Sequence, residues 1–323
     1  MRKIQNGITF LFYFLSVQLS AKAIHAIPTE VRHTVNRNDA SEIVYYFILP
    51  TNTHKTYPIV MLCEGSSTKG RLESVIRIHN TWGIHQKLET MGIGVITVEK
   101  RGIDGNNINE EEFFEHYTRT NRFNDHCHVI ETLKKKPPKD WDGKFIFIGG
   151  SEGGPLALSL TLKYFNETAA TVNWAGASDN TWPDEVWDFC YHDSWLMWLV
   201  GLYELPWSKS GLDKKFHEIR QNPSSKKWFA DMTYRYHADV FIEQDRNKAY
   251  TTIKTPLLVV TGTKDTIIET SDVFVNKAKK NGVPITYYRI EGARHYETIN
   301  PKFNVIEKTL LWLKEQLTIQ EIL

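Results

Sequence analysis

Lys144–Leu160 reads KFIFIGGSEGGPLALSL, and its middle decides how the rest of the chain is read. Phe145–Ile148 suits a buried strand and Leu156–Tyr164 an apolar helix, and one short polar turn joins them. Gly149-Gly150-Ser151-Glu152-Gly153 fits the pattern G-x-S-x-G. The spacing has a steric cause. A turn sharp enough to lift a serine off a strand end presses the residues two before and two after it against neighbouring backbone, where only glycine fits. The hydroxyl then stands exposed above the sheet, and the N–H that follows points to the same spot. Pro155 falls in the first helical turn, where its missing N–H costs little. A glycine-rich turn whose serine merely caps a helix is the plainer reading; the strand–turn–helix context favours a nucleophile.

A serine hydroxyl is a weak nucleophile without a base. RIEGARHYE, Arg289–Glu297, supplies His295 just past a strand-like run, among polar and small neighbours that do not suit a core histidine. The imidazole in turn needs an acid to hold its tautomer. VVTGTKDT, Val259–Thr266, supplies Asp265 directly after another strand. Glu269 and Asp272 compete for that role from further along. The chain order is Ser151, Asp265, His295.

Ile43–Leu49, Pro58–Cys63, Ile93–Val98, Ala170–Trp174, Thr255–Gly262 and Pro284–Ile290 also read as strands. Helices are expected over 80–91, 123–133, 271–280 and 304–316. This alternation predicts an α/β fold, a mostly parallel central sheet with helices on both faces. Ligands of such sheets sit at the carboxyl ends of the strands, where Ser151, Asp265 and His295 all fall. The alternation stops over 179–250, which reads as a cap inserted between a first core part, 24–178, and a second, 251–323.

The amino end is set apart. Arg2 and Lys3 precede an apolar run, Ile8–Leu19, and then Ala21-Lys22-Ala23. This is the layout of a secretory signal peptide, 1–23, with cleavage after Ala23 or Ala26. The run is shorter than the ~20 residues of a spanning helix; uncleaved, it would be an anchor. The expectation is a secreted or periplasmic protein with no stable membrane span. Loss of Arg2, Lys3 and Lys22 from totals of 39 basic and 38 acidic residues leaves the surface near neutral. With no basic stripe, nucleic acid is not an expected partner. The three cysteines, Cys63, Cys127 and Cys190, cannot all pair within one chain; Cys63 ends an apolar strand, and a Cys127–Cys190 bridge is left open.

From about Ile43 to the carboxyl end the chain resembles the α/β-hydrolase superfamily. The elbow GGSEGG looks like those of dienelactone-hydrolase-like and acylpeptidase-like members. VEKRGIDG, Val98–Gly105, is similar to a D-x-R-G-x-G loop common there, with Glu99 where aspartate is usual. The loop after the third strand, usually H-G-x, is here Glu64-Gly65-Ser66. By position, the Ser66 N–H would join the Glu152 N–H as oxyanion donor. The resemblance implies a serine hydrolase with no cofactor and no metal, acting on a small-molecule ester or a short peptide. A carboxylic ester is the first expectation; an exported aminopeptidase or acylpeptidase is the alternative, and a thioester is possible. A non-catalytic binding protein on a hydrolase scaffold is the reading from another class.

Two further stretches bear on substrate. Trp182–Trp207 holds five tryptophans, which either pack the cap or line an apolar pocket. An acidic anchor for a substrate amine, if the cap carries one, would come from Glu185, Asp188 or Asp193. Asp125–His128, DHCH, contains metal-ligand residue types, but His126 and His128 at i and i+2 face different sides of a helix. Asn166-Glu167-Thr168 is a glycosylation sequon in a host that uses one.

Overall fold

The computed structural model describes residues 30–50, 56–69, 71–76, 82–192, 206 and 208–320. The expected signal segment lies outside them, as do Asp193, Trp195, Trp198 and Trp207. Eight strands form one sheet: β1 (Glu30–Asn36), β2 (Glu42–Ile48), β3 (Tyr57–Cys63), β4 (Gly94–Val98), β5 (Trp141–Gly150), β6 (Thr168–Trp174), β7 (Leu257–Gly262) and β8 (Ile285–Ile290). Their order is β1-β2-β4-β3-β5-β6-β7-β8. β2 runs antiparallel to β1 and β4, and every pairing from β4 through β8 is parallel. β1, EVRHTVN, has no apolar run to mark it as a strand. It forms the sheet edge, where polar and charged side chains are tolerated and useful.

The period-2 alternation of the strands divides the core into two layers. Val60, Leu62, Ile146 and Ile148 face α1 (Ile84–Thr90) and the carboxyl-terminal helix, Val305–Ile319. Ile59, Met61, Phe145 and Phe147 face the other side, under Arg119–Lys135 and Gly153–Lys163. Both faces are buried, which is why β3 and β5 read as continuous apolar runs rather than alternating ones. The helix Arg119–Lys135 begins at a Thr118 cap whose hydroxyl accepts from the Asn121 N–H. That start is one turn earlier than periodicity alone located it, because its first inward residues are arginines.

Between β6 and β7 the described chain forms three α-helices: Trp182–His192, Lys209–Gln221 and Tyr234–Asn247. They share a core of Val186, Leu212, Phe216, Ile219, Phe229 and Tyr234. Trp182 and Trp187 pack against it. Cys63 and Cys127 are buried free thiols; the Cys190 side chain lies outside the described residues.

At the end of β5 the chain turns as its glycines require. A Cβ on Gly149 would stand 1.9 Å from the Gly153 carbonyl oxygen, and one on Gly153 would stand 1.9 Å from that of Cys63. Gly143, in the same strand, has φ +83° with open space around its Cα. Gly143→Ala should therefore cost only the left-handed strain, about 1–2 kcal/mol. Gly153→Ala, which forces two backbones apart, should cost upwards of ~3 kcal/mol. Urea unfolding of the two variants checks this; equal losses would contradict the close approach.

Candidate active site

Ser151 sits at the elbow with φ +52°, a left-handed conformation costly for a residue with a Cβ. Its N–H is held by the Trp174 carbonyl of β6 at 2.8 Å. Two short loops, after β7 and β8, bring up the other groups. They are tied together by the Lys264 N–H on the Ala293 carbonyl and the Gly292 N–H on Thr263 Oγ1, both at 2.9 Å. Ser151 Oγ lies 2.9 Å from His295 Nε2. His295 Nδ1 lies 3.1 and 3.0 Å from the two carboxylate oxygens of Asp265. The Asp265 side chain is fully buried, and one of its oxygens also accepts from the Ile267 N–H at 3.2 Å. The competing acids lie elsewhere. Glu269 is exposed on the next helix, and Asp272 accepts from the Tyr287 hydroxyl at 2.9 Å.

The loop Glu64-Gly65-Ser66 lies alongside the serine: a Cβ on Gly65 would stand 3.4 Å from Ser151 Cβ. Among the described residues, the Ser66 and Glu152 N–H groups have no protein acceptor. The next N–H along, Ser67, is already given to the Tyr117 hydroxyl at 3.1 Å. A cavity of about 280 Å³ opens above, bounded below by Ser66, Ser151, Glu152 and His295 and above by Trp182, Glu185, Phe189, Met232 and Tyr236. Trp182 thus stands both in the pocket wall and against the cap core.

Beneath the cavity is a group of buried charges that periodicity did not find. The Glu152 carboxylate accepts from Arg122 at 2.5 Å, from the Tyr236 hydroxyl at 2.5 Å and from the Tyr117 hydroxyl at 2.9 Å. Burial alone would raise its pKa. The positive charges of Arg122, Arg119 and Lys100 and the Tyr236 hydrogen bond outweigh that and hold it at about 2. Arg119 pairs with Glu243 at 2.6 Å, and Lys100 with Glu64 at 2.8 Å. Lys100 also donates to Ser67 Oγ at 2.7 Å. Glu99 accepts from Ser74 Oγ and from the N–H groups of Val75 and Gly105, and burial pushes it up to about 7. The sequence signal for the group was the i, i+3 pair Arg119 and Arg122 on the face that continues into Phe123 and His126.

His126 is buried with Nδ1 on the Arg122 carbonyl at 2.8 Å, whereas His128 is half-buried beside Asn38. The two rings face different ways. Of the three acidic cap candidates, Glu185 is in the cavity wall. Asp188 accepts from Asn180 at 3.3 Å instead.

No protein-family model matches the chain, and no curated protein matches it by sequence. Solved structures do match in shape. Est1E from Butyrivibrio proteoclasticus aligns over 89% of this chain and 99% of its own, with a TM-score of 0.56 and 13% identity. One of two fungal esterases from Rhizomucor miehei aligns over 93% and 85%, with a TM-score of 0.60 and 14% identity. The acylaminoacyl peptidase of Pyrococcus horikoshii aligns over 89% of this chain but only 42% of its own, with a TM-score of 0.54 and 14% identity.

The low pKa of Glu152 predicts a particular acid sensitivity. An unfolded glutamate titrates near 4.3. The folded protein gains from the ionised form above that value and loses the gain as pH falls from about 4 to 2, an effect of about 3 kcal/mol. Unfolding free energies measured by urea between pH 5 and 2.5 should fall steeply in the wild type. They should fall less steeply in Glu152→Gln/Arg122→Met, where neither charge remains. Strand order, elbow, the acid and histidine loops and these structural neighbours agree: the chain has the α/β-hydrolase fold.

Proposed function

We propose that this chain is a serine hydrolase that cleaves carboxylic esters through a covalent acyl intermediate. One observation carries the reading: the unbroken hydrogen-bonded series Ser151 Oγ, His295, Asp265 at the floor of a cavity. Ser151 Oγ attacks the carbonyl carbon while His295 Nε2 takes its proton. Asp265 fixes the proton on Nδ1 and stabilises the imidazolium. The N–H groups of Glu152 and Ser66 receive the oxyanion. His295 gives its proton to the leaving alcohol, and water activated by the same imidazole then releases the acid. The scheme calls for no metal or cofactor. The aromatic cavity wall suits an apolar or aryl acyl group; Est1E has been solved with ferulic acid bound. Export of the mature chain, read from residues 1–23, belongs to the same proposal. Amino-terminal sequencing of the protein from outside the cytoplasm tests it.

Ser151→Ala should abolish labelling by a fluorophosphonate and lower kcat on nitrophenyl esters by about 10⁴–10⁶. Asp265→Asn should lose roughly 10⁴ by holding the wrong tautomer, and Glu269→Gln almost nothing. More than a tenth of wild-type rate in Ser151→Ala would remove the nucleophile assignment.

A second reading, cleavage at the amino end of a short peptide, has its own support in Glu185. The three buried cations of the group are taken: Lys100 by Glu64, Arg119 by Glu243, Arg122 by Glu152. Glu185 has no such ion pair among the described residues. It faces the cavity, and burial pushes it up to about 7, with the Arg119 charge only partly opposing. A substrate ammonium would supply the missing charge. On this reading kcat/KM for an aminoacyl-naphthylamide rises with pH through about 7 as Glu185 ionises. It declines above about 8 as the substrate amine loses its proton. Glu185→Gln should lower that rate at least tenfold and leave a neutral nitrophenyl ester within about threefold. If naphthylamides are not cleaved and Glu185→Gln treats charged and neutral esters alike, the ester reading stands alone.

A further inference from the structure

We propose that Arg122 and Tyr117 are positioning residues that set the spacing of the two oxyanion donors, the N–H groups of Glu152 and Ser66. The inference rests on the serine-hydrolase reading and adds to it the means by which that site is held in register.

The two donors come from different loops, one after β3 and one at the elbow after β5. Among the described residues no backbone hydrogen bond joins 64–67 to 151–153. Side chains make the connection. Arg122 donates from Nη1 to the Glu152 carboxylate at 2.5 Å and from Nη2 to the Glu64 carbonyl oxygen at 3.0 Å. One planar guanidinium thus touches both loops, each contact within two residues of a donor. Tyr117 repeats the bridge from the other side: its hydroxyl accepts from the Ser67 N–H at 3.1 Å and donates to Glu152 at 2.9 Å. The Ser67 contact also keeps that N–H out of the hole, so the donor from this loop is Ser66. Lys100 fixes the outer end of the same loop through Glu64 and Ser67 Oγ. Arg122 and Tyr117 are both buried, so these contacts do not compete with water.

A guanidinium fork has fixed geometry, and its two arms cannot be satisfied unless the loops keep one separation. Preorganised donors act because they need no rearrangement when charge develops on the carbonyl oxygen. Loosening their spacing should therefore weaken binding of the tetrahedral species much more than binding of the planar substrate.

The test uses the full-length protein with Tyr117→Phe and Arg122→Lys, a nitrophenyl butyrate assay and an alkyl boronic acid that forms a tetrahedral adduct on Ser151. Rates are expressed per site titrated with fluorophosphonate, so that misfolded protein does not count. Each variant is expected to lose about 10–100-fold in kcat, with KM within about threefold. The boronate Ki should rise by the same factor as kcat/KM falls. If Arg122→Lys does not fold, Tyr117→Phe, which deletes a single oxygen, decides. A lower melting temperature or fewer titratable sites, with rate per site and boronate affinity within twofold of wild type, overturns the proposal and leaves these residues structural. A wild type that is neither labelled nor inhibited overturns the serine-hydrolase reading and this one together; labelled wild type with unaffected variants overturns this one alone.

Discussion

The carbonyl oxygen of Cys63 lies where a Cβ on residue 153 would have to be, and most of the site follows from that contact. It brings the end of β3 against the elbow that follows β5. The Glu64–Ser66 loop then has nowhere to run except past the serine. The same closeness forces Ser151 into a left-handed conformation, which lifts its hydroxyl out of the helix that begins two residues later. It also seals Cys63. Burial pushes that thiol up to about 12, so a cysteine against the elbow contributes packing and no reactivity.

Burying charge beneath the cavity is costly, and the arrangement shows how the cost is offset. Isolated ions in such a place would neutralise themselves or unfold the protein. Here each cation meets a carboxylate, and the carboxylate of Glu152 meets two hydroxyls as well. Breaking one such pair costs about 3–5 kcal/mol, more than its net contribution, because the partner is left stranded. The group also crosses a boundary. Tyr236 and Glu243 belong to the helix Tyr234–Asn247, whereas Glu152, Arg119 and Arg122 belong to the body. The cap is thus attached through contacts that demand a direction, in addition to an apolar surface that would tolerate sliding.

What could be read from sequence was whatever a periodicity or a steric exclusion writes into neighbouring residues. Seven strand-like runs were legible because both faces of the sheet are covered. The elbow was legible because a sharp strand-to-helix turn leaves room for nothing but hydrogen at Gly149 and Gly153, four residues apart. Asp265 and His295 followed from their positions after strands. The edge strand β1 was not legible, since a solvated edge needs no apolar run. Nor was the first turn of Arg119–Lys135: an inward arginine looks like a surface residue until its carboxylate is known. Glu64, Glu152 and Glu243 stand far apart in the chain, and no local pattern announces that they meet. Glu185 could be shortlisted beside Asp188 and Asp193, but separating Glu185 from Asp188 required knowing which of them lines the cavity; Asp193 lies outside the described residues.

The cavity above Ser151 has walls of two kinds, and they differ in their freedom to change over generations. The lower wall, Ser66, Ser151, Glu152 and His295, stands on an elbow whose glycines leave added atoms only main chain to meet, and the charges beneath it are locked to one another. Substitutions there disturb the elbow itself. Apart from Tyr236, which is tied to Glu152, the upper wall is Trp182, Glu185, Phe189 and Met232. These can be exchanged singly without disturbing the elbow. Lineages descending from such a chain would therefore diverge in the side chains that line the upper cavity while keeping the elbow beneath it, and the record of what the cavity has held would be written in the cap alone.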